Sequence, residues 1–245
     1  MKTNVLLTVS YDGTNFFGYQ VQPNKRTVQS ELESAIYRLT GENVKTIASG
    51  RTDSGVHALG QKVNFITSSS IPSEKFCEAL NTFLPSDVRV LESKKVDLDF
   101  NARYNAKNKT YEYSVYFSKT ALPLKDRYAV KIPYEVDLDL IKQALKVLEG
   151  THDFKCFLAS GSSVKNTVRT IYKATVKKTK SGLKFTFTGN GFLYNMVRIM
   201  VGTLLEIGAK TKTINGLETA LLTGDRKLVG KTMPANGLTL QKVIY

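Results

Sequence analysis

In the stretch "SGRTDSGVHALGQKVNF", residues 49–65, a carboxylate at Asp53 stands two residues from a guanidinium at Arg51, with His57 close behind and glycines at 50, 55 and 60. Polar residues this dense seldom make a core strand. An aspartate presented on a loop can act as a nucleophile or as a general base. A neighbouring arginine favours its ionised form. Gly50 and Gly55 supply backbone freedom where a loop must aim side chains. The same spacing also fits an Asx-turn with a surface arginine beside it, so position alone leaves both readings open.

A second candidate is Arg198. Leu193, Met196, Val197, Met200, Val201, Leu204 and Leu205 recur at helical spacing as one apolar stripe. At 100° per residue, Arg198 falls roughly 110° from the centre of that stripe, on its flank. A guanidinium so placed is partly covered and calls for a carboxylate, or else runs its stem along apolar surface with its head in water. A third group is "RYNAKNKTYEYSVYF", residues 103–117, where Arg103, Lys107 and Lys109 interleave with Tyr104, Tyr111, Tyr113, Tyr116 and Phe117. Cations grip phosphates and rings stack on bases, a mixture suited to RNA. Most of these rings also fit one alternating face of a strand.

Several chemistries are missing. "GVHALGQK" looks like a phosphate-binding loop but has Gln61 at the lysine position and Val63 where Ser or Thr would hold magnesium. "GNGFLY" begins like a dinucleotide fingerprint and ends in Tyr194 instead of glycine. Two isolated histidines, His57 and His152, give no basis for a metal centre or a serine triad. Cys77 and Cys156 lack CxxC spacing and suit a reducing cytosol. The expectation is a chain without cofactor or metal.

The elements that must carry these residues follow from periodicity. "NVLLTVSYDG" reads as a strand, and a helix capped by Thr27 and stopped by Gly41 follows. "NVKTIASG" and "GQKVNFITS" read as two strands with the Arg51–Asp53 motif between them. "PSEKFCEALNTFLP" reads as a helix starting at Pro72, and "DVRVLESKKV" as a strand. That order, β-α-β-β-α-β, is the ferredoxin-like unit. It recurs with a strand at "KTYEYSVYF", a helix capped by Asp137 or Asp139, a hairpin around Lys180–Gly182, a helix over "FLYNMVRIMVGTLLEIG" and a closing strand "LTLQKVIY". A short helix is possible at 213–222. The fold class expected is α+β, two ferredoxin-like halves, 1–104 and 105–245, with sheets meeting around a central basic cleft.

The 245 residues are 42% hydrophobic and 23% charged, an ordinary globular balance. The 35 Lys and Arg against 21 Asp and Glu, a net +14, are less ordinary and favour a polyanionic partner. No run approaches a signal-peptide core or a membrane span, so a cytoplasmic protein with no membrane partner is expected.

With these residues in view, "GRTDSGVHALGQ" resembles the signature of the TruA-type tRNA pseudouridine synthases. The resemblance runs along nearly the whole chain, through "YDGTNFFGYQVQ", "TVQSELESAI", "ARYNAKNKTYEY", "GTHDFKCF", "TVRTI", "GNGFLYNMVRIMVGTLLEIG" and "GLTLQKVIY" in family order. One departure is Tyr19, where the family commonly has Trp; tyrosine keeps a flat ring. The resemblance implies an isomerase that converts uridine to pseudouridine at positions 38 to 40 of the tRNA anticodon stem-loop, a homodimer, and no cofactor. It makes Asp53 the catalytic aspartate, Tyr111 the ring that packs on the target base, Arg198 the partner of Asp53, and Arg51 a residue that holds the displaced nucleotide. The alternative class is a non-catalytic RNA-binding protein of paired RRM-like units, which needs a glycine-and-aromatic strand motif; "KTYEYSVYF" has no glycine. A tRNA methyltransferase needs a glycine-rich cofactor loop, and none is present.

Overall fold

Alternating residues in Thr3–Tyr11, strand β1, place Val5, Leu7, Val9 and Tyr11 on one buried side. In the computed structural model, which describes residues 2–161 and 164–245, the chain divides into two units: one runs to Lys107 and includes 239–245, and the other is Asn108–Leu238. In the first unit β1 is followed by α1 (Val28–Thr40), β2 (Ile47–Ala48), β3 (His57–Thr67), α2 (Phe76–Asn81) and β4 (Val88–Val96). β1 lies between β3 and β4, antiparallel to both, and β2 pairs antiparallel with the far side of β3.

Thr27 starts α1 because its hydroxyl accepts from the Ser30 N–H while the Ser30 hydroxyl accepts from the Thr27 N–H. Gly41, at φ 74°, stops the helix in the left-handed region. The buried face is Val28, Leu32, Ala35 and Ile36. Arg26, just before the cap, makes a bidentate pair with Asp87 at 2.8 and 2.9 Å and lies over the buried Phe16 ring, which fixes the 12–27 connection.

The second unit holds β5 (Asn108–Phe117), α3 (Pro123–Asp126), β6 (Val130–Ile132), α4 (Leu138–Leu148), β7 (Gly150–Asp153), β8 (Val168–Lys178), β9 (Gly182–Gly189), α5 (Met196–Gly208) and α6 (Ile214–Thr223). β5 pairs parallel with β6 and antiparallel with β9; β9 pairs antiparallel with β8, and β8 with β7. The first unit is completed by the last strand, β10 (Leu238–Ile244), whose Thr239 and Leu240 pair in parallel with His57 and Ala58 of β3. Each unit is thus a mixed sheet with helices, and the α+β class holds.

Most expected elements form, and the differences have local causes. Only Ile47 and Ala48 of "NVKTIASG" become strand, because the Thr46 N–H and hydroxyl both go to the Glu33 carboxylate of α1, at 2.8 and 3.0 Å. The helix expected from Phe192 starts at Met196, since Asn195 sits at φ 60° and cannot continue a right-handed turn backwards. The helix expected from Pro72 is a 3₁₀ turn at Ser73–Lys75 leading into a short α2. α3, β6 and β7 were not anticipated: α3 and β6 are three to four residues long, and β7 is four.

Replacing Thr27 by Ala removes the buried half of the cap and should cost about 1–2 kcal/mol of unfolding free energy, with Thr27→Ser losing much less. Urea denaturation measures both; equal midpoints for all three forms would show that the cap does not hold the helix.

Candidate active site

The residues 49–56 form the loop between β2 and β3. Its tip is a turn closed by the Val56 N–H to the Asp53 carbonyl at 3.1 Å, with Gly55 at φ 79°, a conformation that favours glycine. Arg51 is exposed, Thr52 buried and Asp53 half-buried. The loop is gripped from the 12–27 connection: the Tyr19 N–H donates to the Thr52 carbonyl at 3.0 Å, and the Ser54 hydroxyl donates to the Phe16 carbonyl at 3.1 Å. Tyr19 itself is buried. The Gly13 N–H lies 3.0 Å from His57 Nδ1. Asp12 Oδ1 lies 3.2 Å from the same nitrogen and also accepts from the N–H and hydroxyl of Thr14.

Beneath the loop runs a chain of buried polar groups. The Tyr11 hydroxyl and the Thr52 hydroxyl are 2.7 Å apart. Gln61 Nε2 donates to the Gly50 carbonyl at 2.8 Å, and Gln61 Oε1 accepts from the Ser49 hydroxyl at 2.6 Å. Gln61 and Ser49 are fully buried. Burial pushes the Tyr11 phenol up to about 12, against the opposing pull of its hydrogen bonds with Thr52 and Gln61. Satisfied networks of this kind fix one geometry, because each unpaired member would be costly in so dry a place. The residues held are Ser49, Gly50 and Thr52, which bracket Arg51 and lead directly into Asp53.

In the second unit, Tyr111 lies on β5, buried, with its ring edge-on to Phe192 at 5.1 Å between centroids. Tyr113, two residues on and on the same face, donates its hydroxyl to the Pro234 carbonyl at 2.7 Å. Burial raises the Tyr113 phenol, and the charge of Arg198 opposes that rise. Arg198 is half-buried on α5, whose stripe from Met196 to Leu205 is buried as its spacing requires. Its Nε donates to the Met233 carbonyl and its Nη1 to Asn195 Oδ1, both at 2.6 Å. Arg51 and Asp53 therefore share one loop, and Tyr111 and Arg198 share one unit with Tyr113 between strand and helix. Of the aromatic segment, Tyr104 and Phe117 are exposed and Tyr111, Tyr113 and Tyr116 are buried.

Gln61, Tyr11 and Ser49 escaped the reading of the sequence as site residues. Their signal was available: Gln61 shares the inward face of β3 with Val63 and Phe65, and a polar residue in an inward register needs partners. The carbonyls of Met233 and Pro234 carry no such signal, since any residue supplies one. Among the described residues, no group of three His, Cys, Asp or Glu stands close enough to hold a metal ion, and no helix is long and apolar enough to cross a membrane.

Comparison with known proteins converges on one family. The model of the family described as tRNA pseudouridine synthase matches residues 7–105 and 144–245. The protein named tRNA pseudouridine synthase A of Caldicellulosiruptor bescii is 46% identical over 242 residues, 99% of either chain. Its namesake in Streptococcus mutans is 50% identical over 240 residues, 97% of this chain and 96% of that one. That of Geobacillus sp. is 44% identical over 246 residues, 100% and 99%.

Two outcomes follow from the buried network. Gln61→Leu leaves the Gly50 carbonyl and the Ser49 hydroxyl without their partner and should cost about 1–3 kcal/mol of stability in denaturant titration; a parent-like midpoint would mean that the groups re-pair. The Tyr11 phenol titrates at 10.0 when unfolded and near 12 when folded. A raised value means that its contribution is complete below pH 10 and is lost as pH climbs through 12. Stability measured across that window should fall, and Tyr11→Phe should flatten the fall. Identical slopes for the two proteins would remove Tyr11 from the titration.

Proposed function

This chain belongs to the tRNA pseudouridine synthase family, and we propose on that footing that it converts uridine to pseudouridine in the anticodon stem-loop of tRNA, at positions 38, 39 and 40. It is an isomerase acting on tRNA. The reaction breaks the bond from C1′ to N1, turns the base, and joins C1′ to C5. C5 loses its proton and N1 gains one, so atoms and electrons balance with no redox partner and no phosphate donor. The protein's work is then to extract the base from its stack, at a few kcal/mol, to hold it, and to supply one reactive group.

We assign that group to Asp53. The observation that carries the assignment is the carboxylate's place on a loop whose residues are held from below by Tyr11 and Gln61 and from the side by Tyr19 and Phe16. Rigid placement of a reacting group is worth much of a catalytic barrier. A carboxylate there can attack the sugar, attack the base or take a sugar proton. Arg198 is assigned as its ionic partner: Met233 and Asn195 fix the plane of its guanidinium, and a fixed fork orients a carboxylate in a way that lysine cannot. Tyr111 is assigned to pack on the target base, and exposed Arg51 to hold the displaced nucleotide. The finer architecture proposed is two ferredoxin-like halves, supported in the first unit by the order β4-β1-β3-β2 with both helices in the connections. The protein is taken to act as a homodimer in the cytoplasm.

The test is tRNA carrying tritium at uridine C5, because closing the new bond expels that hydrogen to water. The parent should release it. Asp53→Asn should bind tRNA about as well and release under a few per cent, since the amide keeps the shape and loses the charge; faster release would remove Asp53 from its role. Tyr111→Phe should keep binding, whereas Tyr111→Ala should lose about 1–3 kcal/mol of it. Equal binding by all three forms would show that the ring does not touch a base.

A further inference from the structure

We propose that the β8–β9 hairpin and the α3 segment beside it form a second phosphate-binding surface, which grips tRNA backbone outside the anticodon stem-loop that contains the target uridine. The proposal rests on the tRNA reading above and extends it to a part of the molecule that reading does not use. Residues 118–131 and 177–184 together carry eight Lys and Arg against one carboxylate, Asp126, a net +7 of the chain's +14. Half of the protein's excess charge thus falls on two short segments.

The fold brings the two segments together at one end of the second unit's sheet. Lys125 Nζ donates to the Ser181 hydroxyl in the hairpin turn at 2.8 Å, and the Phe117 N–H donates to the Ser181 carbonyl at 2.8 Å. Lys131 on β6 reaches the Lys119 carbonyl at 3.5 Å. The hairpin is pressed hard against β5: a Cβ at Gly182 would stand 1.9 Å from the Val115 carbonyl oxygen, so only glycine fits. The charges are therefore presented on a fixed surface.

In the hairpin, little of this charge is neutralised within the protein. Asp126 accepts the Tyr116 hydroxyl, and Glu112 pairs with Lys184 at 2.8 Å. Lys177 stands directly opposite Lys184 in the strand register, an arrangement of like charges that costs stability. Lys177, Lys178 and Lys180 are exposed, and none of the three has an ion pair among the described residues. A polyanion relieves that repulsion on binding and gains the free energy of counterion release.

The partner is RNA backbone at a distance from the target base. Tyr111 and Phe117 are six positions apart on β5, about 20 Å at roughly 3.3 Å per residue. A nucleotide seated at Tyr111 does not reach the hairpin, whereas tRNA backbone beyond the anticodon stem-loop does. An anionic membrane is the other polyanion, but surface binding to lipid generally uses a long amphipathic helix, and α3 has four residues.

The test compares the parent, the triple variant K177A/K178A/K180A and the charge-keeping variant K177R/K178R/K180R. Dissociation constants are measured for full-length tRNA and for an isolated anticodon stem-loop across a salt series, with steady-state conversion alongside. For full-length tRNA the alanine variant should bind ~10-fold or more weakly at low salt, with the slope of log affinity against log salt reduced by about 2–3. Its KM should rise while kcat stays at the parent value, the arginine variant should behave as the parent, and the stem-loop should bind all three alike. Parent-like affinity and slope for the alanine variant on full-length tRNA would overturn the proposal. So would equal losses on the stem-loop, or a loss confined to phosphatidylserine vesicles. If the parent fails to convert uridine at all, the proposed function falls, while the binding comparison still decides the surface.

Discussion

The Gln61 amide is the interaction on which the site depends. Its nitrogen holds the Gly50 carbonyl and its oxygen holds the Ser49 hydroxyl, in a position closed to water. A buried amide with both ends used admits one orientation, and the loop it holds inherits that orientation. The sheet in turn fixes Gln61. Its place opposite Val9 on β1 follows from the β1–β3 register, in which a slip of one residue would turn the side chain to the other face. β10 adds a parallel pair at His57 and Ala58, where the loop re-enters β3. Asp53 is thus aimed by backbone pairing, one glycine-dependent turn and a few buried hydrogen bonds, none of which needs the carboxylate itself.

The second unit fixes Arg198 and Tyr113 by a different route. Arg198 lies on a helix whose neighbours are almost all apolar and buried, and its head is bound by a main-chain carbonyl and an asparagine. Tyr113 is tied to the adjacent carbonyl of Pro234. The 233–234 backbone therefore serves as a shared anchor for a helix residue and a strand residue. An isomerisation without redox partner or donor asks for this kind of construction: orientation and electrostatics set in advance, with little reorganisation during the reaction.

Much of this was legible in the sequence, and the parts that were not share a cause. Long periodic segments declared themselves, as did caps whose chemistry is local, such as Thr27 with Ser30 and Asp137 at the start of α4. The Arg51–Asp53 motif was visible because charge and glycine cluster in so few residues. What the sequence hid depends on partners far along the chain. The strand expected at 43–50 shrinks because Glu33, on a helix before it, captures the Thr46 N–H. Gln61 looked like a failed phosphate-loop lysine until the register showed which way it points. Short pieces such as α3 and β6 have too few residues to display a period, although the net +7 they help to form could have been counted without any structure.

The most direct measurement is single-turnover conversion of tRNA uridine by Gln61→Leu at saturating protein, with amide hydrogen exchange followed on the same sample. If the buried amide is what aims Asp53, the variant stays folded and binds tRNA like the parent, yet converts it about 10–100-fold more slowly, the cost of a small misplacement at a reacting centre. The N–H groups of Tyr19 and Val56, whose acceptors are the Thr52 and Asp53 carbonyls, then exchange faster than in the parent. A parent-like rate in a protein whose loop amides exchange freely would contradict the dependence of the site on that anchor.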